Sequence, residues 1–175
     1  MKIPFYILIL AVLFGCKSTK IVSEPITKKT EMEFFDNGLL KSIGQIDSDF
    51  LSKSARIGLW SEFYENGKLK ETGEYVADTY TNCCTGGLCD MVYSYKIGDW
   101  SYFYNNGQLK AKGTYKTGKK HINTSCEGGD EINFGFLNDS WKFYDKYGTE
   151  INPTEKELEE MDNNGIIDEF DVSGK

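Results

Sequence analysis

Four cysteines and one histidine are the residues of this 175-residue chain best able to do chemistry. Cys83, Cys84, Cys89 and Cys126 could ligate zinc, supply a thiol nucleophile or close two disulfides. Structural zinc calls for spaced Cys-x-x-Cys knuckles, and the chain has none. A thiol enzyme needs a cysteine beside a base. The single histidine, His121, precedes Cys126 in a polar stretch, and its plainer reading is a solvated loop residue. Met1–Gly15 has Lys2 ahead of an apolar run, Ile3–Phe14, too short for a membrane span, so it reads as an export signal. An even number of cysteines in an exported domain predicts two disulfides. A bridge between the adjacent Cys83 and Cys84 would be strained. Cys84-Thr85-Gly86-Gly87 aligns with Cys126-Glu127-Gly128-Gly129, which favours Cys84 with Cys126 and leaves Cys83 with Cys89. The swapped pairing, Cys83 with Cys126 and Cys84 with Cys89, stays open. No Ser-His-Asp order, phosphate loop or HExxH is present, so no catalytic residue is expected.

Two further stretches carry ligand or lipid chemistry. Glu160, Asp162, Asn164, Asp168 and Asp171 follow the spacing of oxygen ligands in a calcium loop, with Gly165 at its sharp turn. The first and last ligands are the wrong carboxylates, and no exit helix fits after Val172. An acidic tail without metal is the plainer reading, so calcium is a minor expectation and no other cofactor is expected. Leu13-Phe14-Gly15-Cys16 resembles a bacterial lipobox. That resemblance implies cleavage before Cys16, diacylglycerol on its sulfur and a protein anchored to a lipid bilayer. Lys17 after the cysteine implies the outer membrane. A plain secretory signal with a chance cysteine is the alternative.

What must position these residues is a repeat. Gly58–Tyr75, GLWSEFYENGKLKETGEY, returns as Gly98–Tyr115, GDWSYFYNNGQLKAKGTY. Asn66-Gly67 and Asn106-Gly107 predict two-residue type I′ turns, because both central residues then need positive φ. That register sets Trp60 opposite Gly73 and Tyr64 opposite Leu69, all on one face, with Ser61 beside Thr72 and Phe63 beside Lys70 on the other. Gly73 would leave a gap for the Trp60 indole, and Gly113 one for Trp100. Fainter copies run over Glu31–Ile46, with Asn37-Gly38 at its turn, and Ser140–Ile151, with Trp141 and Gly148. They read as capping copies. The tryptophans recur about every 40 residues.

This W-x-x-F/Y-Y-x-N-G-x-L-K-x-x-G-x-Y pattern resembles the MORN-repeat variant of many bacterial proteins, some of them labelled antitoxin-like. The resemblance implies a row of β-hairpins that serves as a binding or scaffolding surface, and no catalytic residue.

The expected fold is therefore all-β: tandem hairpins forming an elongated, twisted antiparallel sheet, with a short C-terminal helix and tail. Residues 1–15 are the expected signal, 16–30 a polar tether, 31–151 a domain of about four repeats and 152–175 an acidic tail. Residues 47–57 read as a connector. In the tail, Pro153-Thr154-Glu155 starts a helix through Glu160, with Thr154 as its cap. Aromatics at 14% and 18 glycines suit such hairpins. Net charge is -7, and about -8 once Lys2 is removed, which disfavours nucleic acid. Trp60, Trp100, Trp141, Tyr64 and Tyr104 are candidates for an exposed binding face, with packing between hairpins as the plainer reading. The expected role is non-catalytic binding of a protein or envelope component by a lipid-anchored envelope protein. An envelope hydrolase or thiol enzyme using His121 and a reduced Cys126 in the Cys-containing loops, and an antitoxin-like neutraliser, are the alternatives.

Overall fold

Strand-forming runs separated by Gly-containing turns fold this chain into an antiparallel meander. The computed structural model describes residues 28–50 and 53–163. Nine strands follow in order: β1 Lys28–Phe34, β2 Leu40–Phe50, β3 Lys53–Phe63, β4 Leu69–Cys84, β5 Gly87–Phe103, β6 Leu109–Ile122, β7 Asp130–Phe136, β8 Lys142–Tyr144 and β9 Glu150–Ile151. One helix, α1, spans Glu155–Asn163. The sheet runs β1-β2-β3-β4-β5-β6-β8-β9, and β7 pairs with the far end of β6. The expected all-β repeat architecture is the one observed. The first strand begins at Lys28, ahead of Glu31, and residues 47–50 and 53–57 extend β2 and β3 where a connector was expected.

The turns differ from the expected two-residue form. The Gly67 amide donates to the Tyr64 carbonyl (2.8 Å) and the Tyr64 amide to the Lys68 carbonyl (2.8 Å). Glu65 and Asn66 are thus the centre of an ordinary turn, and Gly67 follows it at φ 76°, a left-handed position suited to glycine. The Asn66 side chain accepts from the Lys68 amide and fixes the bend (3.0 Å). The same pattern recurs at Gly38, Gly107 and Gly148. Phe63 therefore faces Leu69, replacing both the Tyr64–Leu69 and Phe63–Lys70 pairs expected. A bulge at Lys70 then restores the register, so Trp60 still faces Gly73 and Ser61 still bonds Thr72 (2.9 Å).

The tryptophans form the core. Trp60 and Trp100 are 3% and 2% exposed, so they are not an exposed binding ladder, and Trp141 is half-buried. Their indoles turn away from the glycines expected beneath them. Trp60 covers Gly44 of the preceding hairpin, Trp100 covers Gly73 and Trp141 covers Gly113, each so closely that an added Cβ would overlap atoms of the indole. Glycine flanks Trp60 on both neighbouring strands. The indole leans to the side where its N–H reaches a carbonyl, that of Gln45 (2.8 Å). Trp60, Tyr75, Trp100, Tyr115 and Trp141 then alternate edge-to-face along the sheet, ring centres 5.0 to 6.5 Å apart.

Beyond Tyr75 and Tyr115 the strands run on as two hairpin arms, β4–β5 and β6–β7. Tyr93, Tyr95, Ile132 and Phe134 form a second, smaller core among them. Cys83 bonds Cys126 and Cys84 bonds Cys89. This is the swapped pairing, and strand alternation explains it. Cys84 faces Gly87 and Asn82 faces Cys89, so Cys84 and Cys89 share one side of the hairpin. Cys83 points to the other side and joins the second arm, with 4.9 Å between the Cα atoms of Cys83 and Cys126.

Candidate binding groove beside the C-terminal helix

Thr154 caps α1 through a reciprocal pair. Its backbone amide donates to the Glu157 carboxylate (3.0 Å), and the Glu157 amide donates to its hydroxyl (3.3 Å). The helix runs to Asn163, past the expected end at Glu160. It lies on the tryptophan face of the sheet. Met161 is buried in the main core, and the Tyr115 hydroxyl donates to its carbonyl (3.2 Å). Beside the helix, on the same face, is a cavity of about 380 Å³.

The cavity's chemistry comes from equivalent positions in two repeats. Arg56 stands before Trp60 as Lys96 stands before Trp100. Each cation lies 4.2 Å from the centre of its own tryptophan ring. Arg56 and Lys70 both pair with Glu62, at 3.0 and 3.2 Å. Lys96, 1% exposed, donates to the Tyr102 hydroxyl (3.0 Å) and sits 3.4 Å from the Glu71 carboxylate. The Tyr102 and Tyr115 hydroxyls bond each other (2.9 Å). A chain of polar groups thus leads from Glu71 to α1.

The environment sets each protonation state. Burial pushes Lys96 below its ordinary value, and Glu71 opposes that only in part. Burial would raise Glu62, but Arg56 and Lys70 outweigh it and hold the carboxyl below its usual range. Lys70 is raised in turn: burial would lower it, and Glu62 prevails. Burial drives Tyr75 and Tyr102 well above the ordinary phenol value, so both stay protonated. A phenol held neutral beside a buried, paired lysine is a hydrogen-bonding wall, not a nucleophile.

Of the candidate residues, Tyr64 and Glu160 line this groove, and the rest fall elsewhere. Tyr64 and Tyr104 are half-buried and donate to the carbonyls of Phe103 (2.7 Å) and Tyr144 (2.8 Å), each one repeat on. They join repeats. His121 is exposed, and Cys126 is in a disulfide, so the thiol-enzyme reading loses its nucleophile. Glu160 and Asp162 lie in α1, while Asn164, Asp168 and Asp171 lie outside the described residues. Cys16 does too. Among the described residues no helix is long and apolar enough to cross a membrane. Sequence reasoning missed Arg56 and Lys96. Their signal was a cation four places before the tryptophan in both central repeats.

The family model described as MORN repeat variant matches residues 56–77 and 96–117. No curated protein and no solved structure matches the chain.

Proposed function

We propose, on the premise that residues 56–77 and 96–117 are MORN-repeat variants, that this chain is a non-catalytic binding module. MORN repeats typically bind proteins or membranes, and the family is generally non-enzymatic. In this reading a lipid on Cys16 holds the chain at the bacterial cell envelope, on the outer membrane. The repeat sheet then receives another protein or an envelope component. The observation that carries the reading is the groove beside α1, an open cavity whose ionic groups are paired with one another. Binding sites are concave, with a few placed polar groups. Two disulfides support an oxidising, exported setting.

The test has two parts. Cys16→Ser should move the chain from the membrane to the soluble fraction and abolish incorporation of labelled palmitate. A photo-crosslinking residue at Lys70, in the groove, or at Ser101, on the opposite face, should give a discrete heavier adduct in native membranes. Membrane retention of Cys16→Ser overturns the anchor. Absence of adducts from both positions overturns the binding role.

A further inference from the structure

Helix α1 shows how this sheet receives a helix. Its first turn sets Glu157 3.7 Å from Lys110, and near its other end the Tyr115 hydroxyl holds the Met161 carbonyl. Lys70 and Tyr75 occupy the same places after Gly67 that Lys110 and Tyr115 occupy after Gly107. They line the cavity one repeat back, where the Lys70 side chain is 46% exposed. The seat is thus repeated, and α1 fills one copy.

We propose that an amphipathic helix of a partner protein lies beside α1 in this groove, with a first-turn carboxylate on Lys70. This names the partner class within the binding role proposed above and rests on it. Three differences between the seats set the helix's chemistry. The first is Glu62, which stands where the seat of α1 has Tyr102 and already pairs with Lys70 at 3.2 Å, so the partner's carboxylate shares a half-exposed cation. Ala111 and Leu137 belong to the seat of α1, and Leu137 packs against the main core. At the equivalent places the groove has Glu71 and Lys96, an ion pair. Lys96 is already buried and bonded to Glu71 and Tyr102, but the Glu71 carboxylate keeps 12% of its side chain exposed. A methionine like Met161 would cover that remainder without bonding it, which is costly. A glutamine there offers both a donor and an acceptor. The partner helix therefore carries a carboxylate in its first turn and a hydrogen-bonding side chain four residues later, as Met161 follows Glu157.

The probe is this chain's own residues 153–163 as a capped peptide, made with and without Met161→Gln. It is titrated against the full chain in detergent with both disulfides formed, reading intrinsic tryptophan fluorescence, since Trp60 lies under Arg56. The Gln peptide should bind saturably and more tightly than the unaltered one. Lys70→Ala should weaken it about five-fold, Lys110→Ala, on the far wall of the groove, by less, and Lys112→Ala, on the opposite face, not at all. Lys70→Gln, which keeps the stem, should match Lys70→Ala and guards against misfolding. Four outcomes overturn the proposal: no saturable binding, equal binding of the two peptides, a larger loss in Lys110→Ala than in Lys70→Ala, which would mean that α1 itself is displaced, or a Lys70-dependent dimer of the full chain in sedimentation, which would make the occupant a second copy. Adducts from Ser101 that survive any of these keep the binding role while removing this groove.

Discussion

A glycine roofed by an indole is the residue that tolerates least change in this chain. At Gly73 a Cβ would land among the ring atoms of Trp100, a side chain 2% exposed that has no room to move aside. Overpacking of a tight core costs about 1–3 kcal/mol or more. Gly73→Ala should therefore lower the unfolding free energy in urea by about 3 kcal/mol. Gly86→Ala, with nothing near its Cβ, should leave it nearly unchanged. The tyrosines make a second prediction of the same scale. Tyr75, Tyr93, Tyr102 and Tyr115 are raised in the folded chain, chiefly by burial. Folded groups that hold their protons longer than unfolded ones give stability that is intact below the unfolded value, about 10, and lost as pH rises above it. Lys96 acts the other way. Its folded value is depressed, so stability grows as pH approaches the unfolded lysine value. Alkaline unfolding should be abrupt, and absorbance at 295 nm should show these four phenols ionising together with the loss of circular dichroism. Smooth ionisation with the sheet intact would contradict their burial.

Among the elements, the hairpin turn decides register. Gly67 sits at φ 76°, and a Cβ there would meet only Leu39 Cδ1, at an ordinary 3.8 Å. The cost of Gly67→Ala is then one of backbone conformation, about 1–2 kcal/mol. Gly67→Asn should cost less, because asparagine tolerates that region. Thermal melts of the two variants check the order. The turns also stack: the side-chain amides of Asn37, Asn66 and Asn106 each donate to a carbonyl in the next turn, at 3.0, 2.7 and 3.1 Å. The hairpins, their Trp–Gly register and the capping helix were legible because each is written locally, in Asn-Gly, in strand alternation and in Thr154 with Glu157. The turn type was not. Asn-Gly serves either the centre of a two-residue turn or the end of a three-residue one, and the bulge at Lys70 hides the difference from the register at Trp60. The direction of each indole, the cysteine partners and the groove were illegible for another reason. They depend on which of two faces or neighbours a residue meets, and only assembled strands decide that. Arg56 and Lys96 look like surface cations in the chain. The fold puts each on a tryptophan.

For the molecule as a whole, the question is what holds the arms to the sheet. The repeats are joined neighbour to neighbour by indoles, turn asparagines and tyrosine hydroxyls, as in arrays whose stability is a sum of unit and interface contributions. The arms have a separate core around Tyr93 and Phe134, and one covalent tie, Cys83–Cys126, crosses between them. That tie closes a loop of 43 residues, whereas Cys84–Cys89 closes one of 5. Chain entropy gives about 4 kcal/mol for the first and about 2 kcal/mol for the second. The smaller loop lies at a hairpin end where ladder pairing already brings its cysteines together, so the measured value should fall below even that. The double variant Cys83→Ser/Cys126→Ser should thus lose more than twice the unfolding free energy lost by Cys84→Ser/Cys89→Ser. The loss should also be regional. In hydrogen exchange, amides of residues 76–95 and 116–136 should speed up, while those flanking Trp60 and Trp100 stay protected. A uniform loss of protection would mean that arms and sheet unfold as one unit and that the second core has no independence. Equal losses from the two double variants would mean that the crossing tie does no more than the hairpin clip, and that Tyr93, Asn133 and Asp78, already bonded across the arms, align them unaided.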